Sequence, residues 1–341
     1  MRAAVFRGPR DVRIENVDDP EAPADGEVVL EVLRAAICGT DASEWDHGPV
    51  LSRPGVVLGH EFVGRVAAVG ERVISLGVGD RVVSGAGISC GHCRWCVGGR
   101  TNLCTEYRTL GLQVDGGLAE YVTSPASICR LVPDTCDDDA AAMTQPLAVA
   151  LHALSRVAQQ PGDDVAVIGA GGIGSFIVAG AVSRAGGGRV VAIDLDEDRL
   201  ATARALGADQ TADARGRALD ELLLELSDGV GFDVVVEASG APDAPAAAIA
   251  GTRRGGRALF VGLHNAPREL DLTRTILREV DIVTTVAHVC DTDIPAALEL
   301  LAATNVAAIT IGPRIPLDAL VDDGLRPLAE RRATGKIVVA P

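Results

Sequence analysis

The chain has 341 residues, 48% of them hydrophobic and 23% charged, which excludes wholesale disorder and points to two domains. Its 47 Asp and Glu outweigh 31 Lys and Arg, a formal net charge of −16, and Lys336 is the only lysine. That balance leaves no basic tract for a nucleic-acid partner; it fits either salt adaptation or an Arg-, Ala- and Gly-favouring codon usage.

The N-terminus, MRAAVFRGPRDVRIE, holds no apolar signal-peptide core, so a cytoplasmic setting is expected. Up to about residue 130 the chain reads as short β segments broken by Gly, Pro and Asp, among them 28–32, 63–66 and 81–83. Such spacing predicts a small β-rich barrel or sandwich. Within it, Cys38-Gly39-Thr40-Asp41 and Gly59-His60-Glu61 offer a thiolate, an imidazole and a carboxylate from separate segments. Singly each is ordinary, because a lone Cys is usually a buried small hydrophobe and a lone His a satisfied core residue. Trp45 and the 46–53 loop follow; they either line a pocket or pack on the barrel.

Cys90, Cys93, Cys96 and Cys104 come next, with gaps of two, two and seven residues. Four thiolates make a closed tetrahedral site, which suits structural Zn²⁺. The rival iron–sulfur run closes with a three-residue gap and a Pro, and this one has neither. A disulfide framework would need an oxidising compartment. His92 is a spacer, since four sulfurs already fill the shell.

From about residue 145 the pattern changes. Residues 145–159 read as a helix, with Pro146 near its start and Pro161-Gly162 beyond its end. Strand-like 165–168, 189–193, 233–237, 258–261 and 282–286 then alternate with helix-like segments, among them 172–185 and 196–206. The alternation predicts an α/β domain, a doubly wound parallel sheet with helices on both faces. The tail carries a helix at 294–303 and a strand at 337–339.

Residues 165–183 are apolar enough to mimic a membrane span, but they hold five glycines whose spacing has a better explanation. Gly169-Ala170-Gly171-Gly172-Ile173-Gly174 follows a strand and opens a helix. One glycine makes the turn, one lets the backbone approach a pyrophosphate, and one lets helix and strand pack closely. The helix N-terminus offers free N–H groups to the phosphates. Asp194 ends the next strand, twenty residues past Gly174, where it can accept hydrogen bonds from ribose hydroxyls and repel a 2′-phosphate. NAD is therefore favoured over NADP, and Arg199 is within reach of the same ribose.

Taken together, Cys38 with its Gly-Thr-Asp, the Gly-His-Glu at 59–61, the four clustered cysteines, the glycine turn and Asp194 resemble the zinc-dependent medium-chain dehydrogenase/reductase family along the whole chain. The segment QPLAVALHA from Gln145 is similar to its polyol branch of sorbitol, butanediol and threonine dehydrogenases. The resemblance implies a GroES-like catalytic domain over 1–148, a Rossmann NAD domain over 149–287, and a return to the catalytic domain over 288–341. It implies two Zn²⁺ per chain: a structural one on the four cysteines, and a catalytic one on Cys38 and His60, with Glu61 and Gln145 as further ligands. It implies hydride transfer between a secondary alcohol and NAD, with Thr40 and Ser43 on the proton path and Asp41 behind His60. The coenzyme would lie on Gly169, Gly171, Gly172, Ile173, Gly174, Asp194 and Arg199. A homodimer or homotetramer follows by the same likeness, with 282–286 as a candidate pairing strand.

Two positions depart from the family pattern. Gln145 stands where polyol-branch members usually carry Glu, although some sugar dehydrogenases carry Gln. Ser43 stands where the family often has a His that ends a proton relay, so the relay ends in water, ends at His47, or is shorter. An NADPH-dependent carbonyl reductase on the same fold is the nearest alternative. A non-catalytic NAD-binding protein is a further one, set against the presence of Cys38, His60 and Glu61.

Overall fold

The computed structural model describes residues 1–264 and 266–341, and the chain divides into two compact units, 1–148 with 288–341, and 149–287. The first unit begins with β1 (Arg2–Gly8), β2 (Asp11–Asn16), β3 (Glu27–Ala36), α1 (Gly39–His47), β4 (Glu61–Val69), β5 (Arg81–Ser84) and β6 (Gly87–Ile88). It continues with α2 (Arg94–Val97), β7 (Arg108–Thr109), β8 (Tyr121–Pro125), β9 (Cys129–Leu131), α3 (Asp138–Ala142) and α4 (Thr144–Arg156), whose last turns belong to the second unit.

The second unit alternates β10 (Val165–Ile168), α5 (Gly172–Arg184), β11 (Val190–Asp194), α6 (Glu197–Ala205), β12 (Gln210–Asp213) and α7 (Leu219–Leu226). Then come β13 (Phe232–Glu237), α8 (Ala244–Gly251), β14 (Thr252–Phe260), α9 (Leu272–Ile276) and β15 (Asp281–Thr284). The chain returns to the first unit through α10 (Cys290–Ala303), α11 (Val306–Thr310), β16 (Ile311–Pro316), α12 (Arg326–Ala329) and β17 (Lys336–Ala340).

In the first unit one path of strands runs β16-β17-β3-β4-β5-β9, with β8 on β3. The tail strand β17 pairs antiparallel with the end of β3, Val338 opposite Ala36 and Val339 opposite Ala35. This register carries Lys336 to the end of the strand that leads into Cys38. Phe6, Leu30, Ile37, Leu58, Phe62, Leu118, Ile337 and Val339 fill the core. Trp45 belongs to that core, 3% exposed, between the guanidinium groups of Arg10 and Arg326. Of its two sequence readings, packing on the barrel is the correct one.

The second unit has a six-stranded parallel sheet in the order β12-β11-β10-β13-β14-β15. Its inner strands β10, β11 and β13 are buried almost along their whole length, as cover on both faces requires, whereas the edge strands β12 and β15 are half-buried or exposed. Two boundaries differ from expectation. β14 begins six residues earlier than the reading of 258–261, because a register shift between Phe232 and Val234 lets Thr252 pair ahead of Gly255-Gly256. α10 begins at Cys290, four residues ahead of the reading of 294–303, where the Asp293 carboxylate accepts from Val289 N at 2.6 Å across the first turn.

Candidate active site and metal centres

The first metal-type cluster is assembled from distant segments. Cys38 caps α1, where the Asp41 carboxylate accepts a hydrogen bond from Cys38 N at 2.9 Å. His60 and Glu61 enter β4 from a tight turn at Gly59 (φ +98°), where a Cβ would meet Leu118 at 2.6 Å. The turn thus needs glycine on two counts, backbone and space. Ligand atoms of Cys38, His60 and Glu61 all lie within 4.8 Å of one another.

The surroundings are buried and rich in negative charge. Asp41 is fully buried, and its Oδ1 faces His60 Nδ1 at 3.6 Å, too long for a direct hydrogen bond. Neither atom has another hydrogen-bond partner. Burial alone would lower the His60 pKa, yet Asp41, Cys38 and Glu61 push it up to about 10. Burial raises the Asp41 pKa against the pull of His60. Such a pocket is built for a cation, and a soft thiolate with an imidazole and a carboxylate suits Zn²⁺.

Sequence reasoning missed one member of this pocket. Lys336 Nζ lies 2.5 Å from Glu61 Oε2, with the lysine side chain only 11% exposed. Burial would lower its pKa, but Glu61 and Cys38 raise it above the ordinary value. The only available signal was that this is the chain's sole lysine.

Along α1, Thr40 Oγ1 lies 3.7 Å from Cys38 Sγ. Ser43 Oγ lies 3.3 Å from His47 Nε2, and His47 Nδ1 lies 3.2 Å from Asp46 Oδ2. Gln145 is half-buried on the first turn of α4, in the same unit as Cys38 and His60. The 46–53 loop is held from within: buried Glu44 accepts from Val50 N, Leu51 N and Ser52 Oγ at 2.9, 2.6 and 2.6 Å.

The second cluster is local. Cys90, Cys93, Cys96 and Cys104 bring four sulfurs within 4.8 Å. Backbone N–H groups aim at them, from Cys93 to Cys90 Sγ and from Cys90 and Glu106 to Cys104 Sγ, at 3.2–3.3 Å. Backbone N–H groups of Cys96 and Thr105 lower the Cys93 pKa to about 6, while burial and the Cys93 sulfur raise that of Cys96 to about 11, so without a metal the pair shares one proton. His92 Nδ1 lies 2.9 Å from the Cys90 carbonyl oxygen, and its exposed ring forms an overlapping group with Cys90 Sγ and the Glu106 carboxylate, their ligand atoms within 4.8 Å of one another.

In the second unit, Gly169 takes φ +89°, and a Cβ there would lie 2.9 Å from Ser239. A Cβ on Gly174 would strike the Gly169 carbonyl oxygen at 1.8 Å, so helix and strand meet there as the turn requires. Gly171 caps α5, and the N–H groups of Gly172, Ile173 and Gly174 open its first turn. A Cβ on Gly172 would meet open space, which leaves the approach to those N–H groups clear. The nearly buried Asp194 accepts from Ala170 N and Leu195 N, both at 2.7 Å, and from Asp196 N at 3.1 Å. It therefore ties the glycine turn to β11. Arg199 Nη1 sits 3.7 Å from Asp194 Oδ1 and beside Gly171.

A β-rich unit with two metal-type clusters and an α/β unit with a dinucleotide-type turn define an oxidoreductase class. An alcohol dehydrogenase GroES-like domain matches residues 24–134, and a zinc-binding dehydrogenase domain matches 172–303. The sorbitol dehydrogenase of Bacillus subtilis (strain 168) is 36% identical over 268 residues, 77% of this chain and 75% of that one. An L-threonine 3-dehydrogenase of Yersinia enterocolitica is 37% identical over 280 residues, 81% of each chain. The crystal structure of 2R,3R-butanediol dehydrogenase from Bacillus subtilis superposes with a TM-score of 0.90 at 29% identity, over 100% of this chain and 99% of that one. The chain belongs to the zinc-binding dehydrogenase family, with a GroES-like domain and a Rossmann-type sheet, and is an enzyme of the alcohol dehydrogenase class.

Proposed function

We propose that this enzyme oxidises a secondary alcohol to a ketone with NAD⁺, the alcohol being a diol, polyol, sugar or cyclitol. The observation that carries the reading is the grouping of Cys38, His60 and Glu61 in a buried, negatively charged pocket. The relatives are named for sorbitol, L-threonine and 2R,3R-butanediol, molecules that each carry a secondary hydroxyl beside a second polar group, which supports the substrate class.

Cys38, His60 and Glu61 would hold the catalytic zinc, with Gln145 as a further ligand, and Cys90, Cys93, Cys96 and Cys104 the structural one. The bound zinc would supply Lewis acidity at the hydroxyl oxygen, and the nicotinamide would supply the hydride acceptor. The chain's own residues then handle the proton and the geometry. Asp41 fixes the His60 ring from behind. Thr40 Oγ1 takes the hydroxyl proton, and the Ser43–His47 pair carries it on toward solvent, with exposed His47 as the base that Ser43 cannot be. Gly169, Gly171, Gly172, Ile173 and Gly174 cradle the diphosphate, while Asp194 and Arg199 hold the adenosine ribose.

A second reading keeps the fold but runs as an NADPH-dependent carbonyl reductase. A zinc-binding dehydrogenase of Sinorhizobium meliloti 1021, 29% identical with a TM-score of 0.91, was solved bound to NADP. The carboxylate of Asp194 argues against a 2′-phosphate here. We further propose a homodimer, or a homotetramer built from it, through the β15 edge of the second unit. Among the described residues β15 pairs with β14 alone, and Ile282, Val286, Leu272, Ile276 and Leu277 are exposed nearby in the chain. The use of five cysteines as zinc thiolates in this reading supports a reducing, cytoplasmic setting.

The deciding experiment is a panel of secondary alcohols and polyols with NAD⁺ and NADP⁺, followed by absorbance of the reduced coenzyme, with zinc counted per chain. Turnover with NAD⁺ and two zincs per chain is expected. Turnover that survives full loss of the Cys38–His60 metal would overturn the mechanism.

A further inference from the structure

In the second unit the strand order reverses between β10 and β13. Open α/β sheets take their ligands in the crevice beyond the carboxyl ends of the strands at such a point. Glu237 is the last residue of β13 and is fully buried there. A buried carboxylate is costly unless donors surround it. Its Oε1 accepts from Ser239 N, Ser239 Oγ and Gly240 N at 2.8, 2.7 and 2.8 Å. Its backbone carbonyl accepts from Val261 N and Gly262 N, at 2.9 and 3.0 Å. Ser239 in turn lies against the Gly169 turn. One carboxylate residue therefore ties together the loops that follow β10, β13 and β14.

The second oxygen does something else. Glu237 Oε2 lies 3.2 Å from His264 Nε2, and His264 Nδ1 lies 3.4 Å from Arg268 Nε. A carboxylate only accepts, so Nε2 carries the proton and Nδ1 presents a lone pair to Arg268. The imidazole is thereby turned to hold a cation by one edge. Among the described residues no carboxylate pairs with Arg268, and its Nη1 and Nη2 have no hydrogen-bond partner. Two parallel N–H groups on a held guanidinium match the oxygens of a phosphoryl group.

We propose that Arg268, supported by His264 on the buried carboxylate of Glu237, is a phosphoryl-binding arm at the carboxyl edge of this sheet. Its ligand is the coenzyme diphosphate or free inorganic phosphate. The coenzyme source rests on the NAD reading above. Arg268 contacts the ligand; Glu237 and His264 are positioning residues.

The test measures dissociation constants of NADH, ADP-ribose and adenosine by calorimetry for the full-length protein and its R268Q, R268K and H264Q variants. Inorganic phosphate is added as a competitor. A charge-assisted contact of this kind amounts to about tenfold or more in affinity. R268Q is expected to weaken NADH and ADP-ribose about tenfold while adenosine binding stays unchanged. R268K should fall between, because a point charge replaces a fork, and H264Q should lose a smaller factor in the same two ligands. Phosphate should compete with NADH in the wild type and not in R268Q. Loss of phosphate binding in R268Q with unchanged ADP-ribose affinity would assign the arm to free phosphate. Unchanged affinity for all ligands, or an equal loss of adenosine binding, overturns the proposal. A wild type that binds phosphate through Arg268 but neither NADH nor ADP-ribose would overturn the NAD reading and leave the arm standing.

Discussion

The two metal-type clusters of the first unit solve opposite problems. The lobe from Cys90 to Cys104 is a local device, four sulfurs from fifteen residues, with nearby backbone N–H groups on Cys90 Sγ and Cys104 Sγ. The pocket of Cys38, His60 and Glu61 draws on three strands and a helix, and it buries Asp41 and Lys336 beside the ligand atoms. A local closed site needs only its own segment to be ordered, so it suits a structural role. An assembled site carries buried charge that is tolerable only when each group has a partner, and it can keep one ligand position for chemistry.

This contrast can be broken by experiment. The largest expected effect separates activity from stability. Cys38→Ser should reduce turnover by about a thousandfold or more, since several kcal/mol of charge stabilisation is lost, while NADH binding persists. Cys93→Ser should instead cost roughly 4 kcal/mol of stability by loss of a structural metal, with a smaller change in turnover of the folded fraction. Zinc counts, denaturant melts and initial rates on both variants check this; equal effects on both quantities would erase the distinction.

The next largest effect concerns Lys336. Lys336→Met keeps the volume but leaves Glu61 buried without its cation, at a cost of about 3–5 kcal/mol in the metal-free protein. Its folded pKa is raised above the ordinary 10.5, so the pair's contribution is complete below that value and is lost as pH rises through the folded pKa. Urea melts of the metal-free protein between pH 8 and the alkaline limit should show a loss of stability in the wild type that is flattened in the variant.

A smaller effect tests the neutral ligand candidate. Gln145→Glu puts a negative charge at the proposed ligand position and should move the midpoint of the pH–rate profile for alcohol oxidation upward by about one unit. An unchanged or lower midpoint would remove Gln145 from the site. The smallest expected effect is in the lobe: His92→Ala should leave zinc at two per chain and stability within about 0.5 kcal/mol, because this imidazole is exposed and four sulfurs already complete the shell.

Much of this molecule is written in short-range pattern. The four-cysteine spacing, the glycine turn with its strand and helix, and Asp194 at the end of the next strand are each set by contacts between residues close in the chain. The sequence alone determined these, along with the alternating strands of the coenzyme-type sheet, because turn geometry, helix starts and metal spacing are local constraints. The starts of β14 and α10 lie outside that pattern, because a register shift sets the one and the Asp293 carboxylate on the Val289 N–H the other.

Only the tertiary structure decided the rest. It put Trp45 in the core and made Glu44 the anchor of the following loop. It joined Glu237, His264 and Arg268 across two loops. It brought Lys336 to Glu61 by pairing the last strand with β3. The physical reason is that these contacts join residues far apart in the chain. A buried side chain, and a buried charge above all, finds its partner wherever the fold supplies one, and that partner leaves no periodic mark in the sequence.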